Sequence, residues 1–116
     1  MTNPFVWFDN LGPASAATTE FMSTLFGWTP GDMGGMSIVT ARGADRPFAA
    51  MGDTMGQVSG WVPYVEVTDL AAETQRARDA GGTVLAEDMA GPAGRATFVQ
   101  DPGGAVLALW TRADTA

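Results

Sequence analysis

With no cysteine, histidine or lysine, this 116-residue sequence draws any chemistry from Asp, Glu, Tyr, Arg, Ser and Thr, or from shape alone. Those absences remove disulfides, thiolate nucleophiles and the usual structural zinc. They also remove imidazole bases, Ser-His triads and Schiff-base lysines. Two residues stand out: Glu66 and the single tyrosine, Tyr64, in the stretch Gly60–Gly82 (GWVPYVEVTDLAAETQRARDAGG). Glu66 serves as a general base only from a partly desolvated site; solvated or paired with an arginine at a strand end, it does none of that work. Tyr64 can donate a hydrogen bond to a ligand carbonyl or phenolate, and as readily packs with its hydroxyl tied to backbone. Trp61 can stack on a ligand or cover an interface. Arg95, just after Gly94, either meets an anionic group or stands at the surface as a plain solvated charge. The acids Asp32, Asp45, Asp53 and Asp88 lack the spacing of a calcium loop. The glycines of Gly31–Gly35 and Gly103-Gly104 do not form a phosphate-binding G-x-G-x-x-G.

The elements that must position these residues follow from pattern. Trp61–Val67 is rich in strand formers, Asp69 is placed to cap a helix from Leu70 to Ala80, and Gly81 ends it. A similar unit lies 54 residues earlier, with strand Phe5–Asn10, a helix opened by Gly12-Pro13 and a stop at Gly27, itself 54 residues before Gly81. In the first helix Ala14, Ala17, Phe21 and Leu25 recur at helical spacing, with Met22 and Phe26 beside them, and predict the face laid on a sheet. Ser15, Thr18, Thr19 and Ser23 fall on the other side. Short strands are predicted at Trp28-Thr29, Met36–Ala41 and Pro47–Met51 in the first half. The second half repeats them at Thr83–Ala86, Arg95–Gln100 and Ala105–Trp110, with a loop over Glu87–Gly94 and a frayed tail from Thr111. Each half is thus strand, helix, three strands. The expectation is an α+β fold: one domain over 1–116 made of two tandem βαβββ modules, about 4–52 and 60–111. They form a curved mixed sheet with helices on the convex side and a concave ligand trough.

Charge narrows the partners. A net charge of −7 leaves no basic patch for nucleic acid and disfavours anionic membranes. No apolar run reaches membrane-spanning length and the start MTNPF lacks a leader pattern, so a cytoplasmic chain is expected. A hydrophobic fraction of 46% against 16% charged residues can build a real core.

The segments FVWFDNLGPASAATTEFMSTLFGW, GWVPYVEVTDLAAETQRARDAGGTVL and GPAGRATFVQDPGGAVLALW, in that order, resemble the two modules of the vicinal oxygen chelate superfamily, which includes glyoxalase I, bleomycin-resistance proteins and extradiol dioxygenases. The LFGW helix ending, the V-T-D-L entry and the D-P-G-G-A turn carry most of it, and the similarity runs from about Pro4 to Trp110. In that family four strands each give one metal ligand to the concave face. The resemblance places those positions at Phe8, Ala50, Val62 and Ala108, none of which binds a cation, so it implies a member with no metal and no cofactor. Alternation then carries the trough lining to Val6, Phe48, Tyr64, Glu66, Val106 and Trp110. The resemblance further implies a homodimer. Three functions follow as alternatives. The first is metal-free binding of a hydrophobic, aromatic small molecule by Phe8, Phe48, Ala50, Val62, Tyr64, Ala108, Trp110, Trp61 and Arg95, in drug sequestration or a natural-product pathway. The second is a cofactor-free cyclase or isomerase with Glu66 and Tyr64 as acid/base pair. The third is a non-catalytic interaction module.

Overall fold

The computed structural model describes residues 4–113 and contains, in chain order, β1 (Phe5–Leu11), α1 (Ser15–Phe26), β2 (Thr29–Met33), β3 (Met36–Thr40), β4 (Pro47–Gly52), β5 (Gly60–Glu66), α2 (Leu70–Asp79), β6 (Thr83–Ala90), β7 (Gly94–Gln100) and β8 (Val106–Arg112). This is the α+β, twice-repeated βαβββ order. The described residues divide into two compact units: Trp7–Val62, and residues 63–113 together with residues 4–6.

In the Trp7–Val62 unit the strands run in the order β2-β3-β4-β1, with β1 parallel to β4 and the other pairs antiparallel. Register places Phe8, Ala49 and Val39 in one row, and Asp9, Ala50 and Ile38 in the adjacent row on the opposite face. The first row faces α1. Val39, Ala49 and Met51 form a buried cluster, and Met22 of α1, Phe8, Trp28 and Phe48 pack against it. The turn before α1 differs from expectation. Ala14, not the Gly12-Pro13 pair, is the N-cap, and it contributes no side-chain hydrogen bond. Gly27 closes the helix in the left-handed region at φ 71°, its N–H donating to the Ser23 carbonyl.

The face that α1 turns inward also differs. Thr19 is buried and Met22 half-buried, whereas Phe21 and Leu25 are 58% and 57% exposed. The apolar stripe predicted to lie on the sheet points outward, and the hydroxyl stripe points in. Thr19 satisfies its hydroxyl by donating to the Ser15 carbonyl at 2.8 Å. Helical spacing reveals an apolar stripe but not which neighbour covers it.

In the second unit the order is β5-β8-β7-β6, with β5 parallel to β8. Asp69 caps α2, its carboxylate accepting from the Ala72 N–H at 3.0 Å, with Glu73 in the first turn and Arg76 and Arg78 in the last, each sign suited to the helix dipole. The row Thr97–Leu109 faces this helix: Thr74 of α2 donates to the Thr97 hydroxyl at 3.1 Å, both side chains being fully buried. The same hydroxyl accepts from the Asp88 N–H at 3.1 Å, at a residue held in the left-handed region (φ 55°). Thr97→Val would leave the buried Thr74 hydroxyl without its acceptor and take the acceptor from the part-buried Asp88 N–H, and we expect a loss of about 1–3 kcal/mol in denaturant unfolding. Adding Thr74→Val should recover part of it, because only the Asp88 N–H then lacks its partner.

Asp101 builds the turn into β8, its carboxylate accepting from the N–H groups of Gly103 and Ala105. β6 continues to Ala90 where a loop was expected, as an exposed edge strand with irregular pairing near Ala86 and Met89. β8 likewise runs through Thr111 and Arg112, placed above in a frayed tail; the last residues of that tail, 114–116, lie outside the described residues. Among the described residues no helix is long and apolar enough to cross a membrane.

Candidate functional site

The predicted site residues divide between the units. Phe8, Phe48, Ala50, Trp61 and Val62 fall in one, and Tyr64, Glu66, Arg95, Ala108 and Trp110 in the other.

In the second unit, register brings the expected group together on the face opposite α2. Tyr64, Ala108 and Phe98 form one row, and Glu66, Trp110 and Ala96 form the next. Tyr64 and Phe98 meet edge to face at 5.9 Å between ring centres. Their strands flank β8, so the two rings close over Ala108, which is fully buried. The space above this alanine is therefore filled by the two rings, Phe98 buried and Tyr64 half-buried, and with Trp110 they make an aromatic platform on this face. One row further, Gly94 pairs with Arg112. A Cβ on the buried Gly94 would collide with the Thr111 carbonyl oxygen and stand 2.8 Å from Trp110 Nε1, which shows that the indole leans across β7. Arg112 lies over the same indole, its guanidinium carbon 5.0 Å from the ring centre. Its Nε and one terminal nitrogen donate to the two carboxylate oxygens of Glu66, each at 3.2 Å. Phe98 and Arg112 were not singled out in the sequence; continuing the alternation Ala108, Trp110 one step further reaches Arg112.

Arg95 takes the other side of β7, in register with Thr111, and is bound to Asp88 through its carboxylate and its carbonyl oxygen. It belongs to a different face from Tyr64 and Trp110. A shallow groove in this unit, lined by Glu73, Arg76, Ala77, Ala80 and Leu109, also lies on the helix side.

In the Trp7–Val62 unit two expectations are corrected. Phe8 and Phe48 were placed on the open face. Both pack instead on the helix side, Phe48 edge to face with Trp28 at 4.9 Å. The open face there carries Ala50 with Asp9, which is only 7% exposed and accepts from Trp7 Nε1 at 2.8 Å. For Phe8 the cause is a one-residue slip; Phe48 lies where the β3–β4 register shifts between Val39 and Thr40, which breaks its alternation with Ala50 and turns it to the helix side. β1 and β5 begin 55 residues apart and so do the caps Ala14 and Asp69, not the 54 that separates the closing glycines. Because side chains alternate along a strand, one residue of slip exchanges the faces. Val62 shares the alternation of Tyr64 and Glu66 along β5, while Trp61 points the other way and is 44% exposed.

Comparison with known proteins bears on this geometry. No family model matches the chain. It is 32% identical over 128 residues to the anthracycline biosynthesis protein DauV of Streptomyces sp. strain C5, covering 91% of this chain and 46% of that protein. It is 35% identical over 115 residues to CFP32 of Mycobacterium bovis, a protein named as a glyoxylase, covering 90% and 44%. The chain thus spans under half the length of these relatives. A solved glyoxalase/bleomycin resistance protein/dioxygenase superfamily member from Vibrio splendidus superposes with a TM-score of 0.64 at 15% identity, covering 95% of this chain and 99% of that one. The chain therefore has the fold of the glyoxalase/bleomycin resistance protein/dioxygenase superfamily.

Ala50, Val62 and Ala108, three of the four positions where the resemblance expects metal ligands, are hydrocarbon and fully buried, and the fourth, Phe8, turns away. Asp9, in register with Ala50, is a carboxylate. Even so, no three His, Cys, Asp or Glu side chains come together among the described residues. A divalent cation needs several such donors, so these residues do not fit one.

Proposed function

We propose that this vicinal oxygen chelate protein binds a hydrophobic, planar aromatic small molecule without a metal, in an accessory or sequestering role within a natural-product pathway. The observation that carries this reading is the platform of Tyr64, Phe98 and Trp110 on the helix-free face of the second unit, with Phe98 buried beneath the half-buried rings of Tyr64 and Trp110. Stacking on each ring adds about 0.5–1.5 kcal/mol beyond area burial, so two contacts with burial reach micromolar affinity. The likeness to an anthracycline biosynthesis protein supports a polycyclic aromatic as the ligand class.

The acid/base alternative is less well supported, because Arg112 engages both oxygens of Glu66. We further infer a homodimer, which the outward apolar stripe of Phe21 and Leu25 supports.

Calorimetric titration with an anthracycline aglycone tests the function. Micromolar binding without turnover is expected, and it should persist unchanged after dialysis against EDTA. Loss of binding on metal removal would overturn the metal-free reading, and conversion of the aglycone would favour the enzyme.

A further inference from the structure

Arg112 is set apart from the other ion-paired arginines. Arg76, Arg78 and Arg95 reach their carboxylates at 2.8, 2.5 and 2.5 Å, from partners no more than nine residues away. Arg112 reaches Glu66 at 3.2 Å across 46 residues of chain, and its side chain remains 66% exposed. It is also the cation seated on an aromatic ring, at the end of the platform formed by Tyr64, Phe98 and Trp110.

Each part of this arrangement bears on exchange. A guanidinium keeps its charge at any working pH and presents a planar fork matched to a carboxylate. An exposed ion pair contributes little stability, because water screens both groups, so giving up Glu66 for another carboxylate is nearly neutral. The indole beneath holds the guanidinium plane, so the fork is oriented before a ligand arrives. A planar ligand lying on the platform would direct a substituent at its rim toward this fork. In a chain of net charge −7, such a cation is a local exception to the field an anion would meet.

We propose that Arg112 reads an anionic substituent, a carboxylate or phenolate, on the planar aromatic ligand, exchanging Glu66 for it. Glu66 then acts as a placeholder that keeps the guanidinium oriented when no ligand is bound. This inference rests on the aromatic-binding function proposed above, and it defines the ligand as an aromatic acid rather than a neutral or cationic polycycle.

Two probes of equal shape test it: anthraquinone-2-carboxylate and anthraquinone-2-carboxamide, titrated calorimetrically into the intact chain and its variants at low salt. The wild type should bind the carboxylate about ten-fold more tightly than the carboxamide. Arg112→Gln should bring the two within about two-fold, and Glu66→Gln should widen the preference by removing the internal competitor. A purely structural role for Arg112 would weaken both probes alike and leave their ratio unchanged. If the carboxamide binds and the wild type shows no preference, or the preference survives Arg112→Gln, the inference falls while aromatic binding stands. If neither probe binds the wild type, the aromatic-binding reading itself fails and this inference with it.

Discussion

Gly94→Ala is expected to destabilise the protein by about 3 kcal/mol and to lower its melting temperature by roughly 10 °C. Gly94 is buried at the start of β7, opposite Arg112. The added methyl would run into the Thr111 carbonyl oxygen and come within 3.1 Å of the Ala113 nitrogen. Those are backbone atoms of the paired strand, so a rotamer change cannot relieve the collision and the end of the β7–β8 ladder must separate. The same methyl meets Trp110 Nε1 at 2.8 Å, so the indole is displaced as well. The variant should therefore lose aromatic binding along with stability. Gly12→Ala is the control: nothing lies within 4 Å of its Cβ position and its φ is not left-handed. It should be neutral or slightly stabilising by thermal melt, through the unfolded chain's lost freedom.

Trp110→Ala is expected to weaken binding of a planar aromatic ligand by about 10–100-fold. Trp110 supplies the half-buried ring between Glu66 and Ala96, and it also supports the guanidinium of Arg112. Its removal takes away a stacking surface and the orientation of the nearby cation. Because the ring is only half-buried, the fold should tolerate the change better than it tolerates Gly94→Ala. Circular dichroism and calorimetry on the same sample separate the two effects: a native spectrum with weakened binding is the expected pair. Trp110→Phe should retain most of the affinity, since a smaller ring still stacks.

The two halves were not equally legible in the sequence. The second half carries strong local signals. Asp69 is a good cap and marks the helix start, which fixes where β5 must end and therefore which residues alternate with Tyr64 and Glu66. The first half lacks that anchor. Its cap is Ala14, which has no side-chain oxygen, so the registration rests on the closing glycines, 54 residues apart, whereas the strand starts and the caps are 55 apart. That single step placed Phe8 on the open face and hid Asp9, a buried acid paired with Trp7. The outward stripe of Phe21 and Leu25 was visible as a pattern, but a periodic pattern does not say what covers it. Arg112 escaped notice because the apolar run ends at Trp110, while the backbone ladder continues to Gly94 beyond it. The Tyr64–Phe98 contact is tertiary: it joins strands on either side of β8, and no local spacing encodes it.

An aromatic ligand is expected on the helix-free face of the second unit, against Tyr64 and Trp110. Amide and indole chemical-shift mapping of the ¹⁵N-labelled chain with anthraquinone-2-carboxylate addresses it most directly. Saturable shifts are predicted at Ala96, Ala108, Arg112 and the Trp110 indole N–H. Shifts confined to the α2 groove at Ala77, Ala80 and Leu109, or no saturable shifts at all, would contradict it.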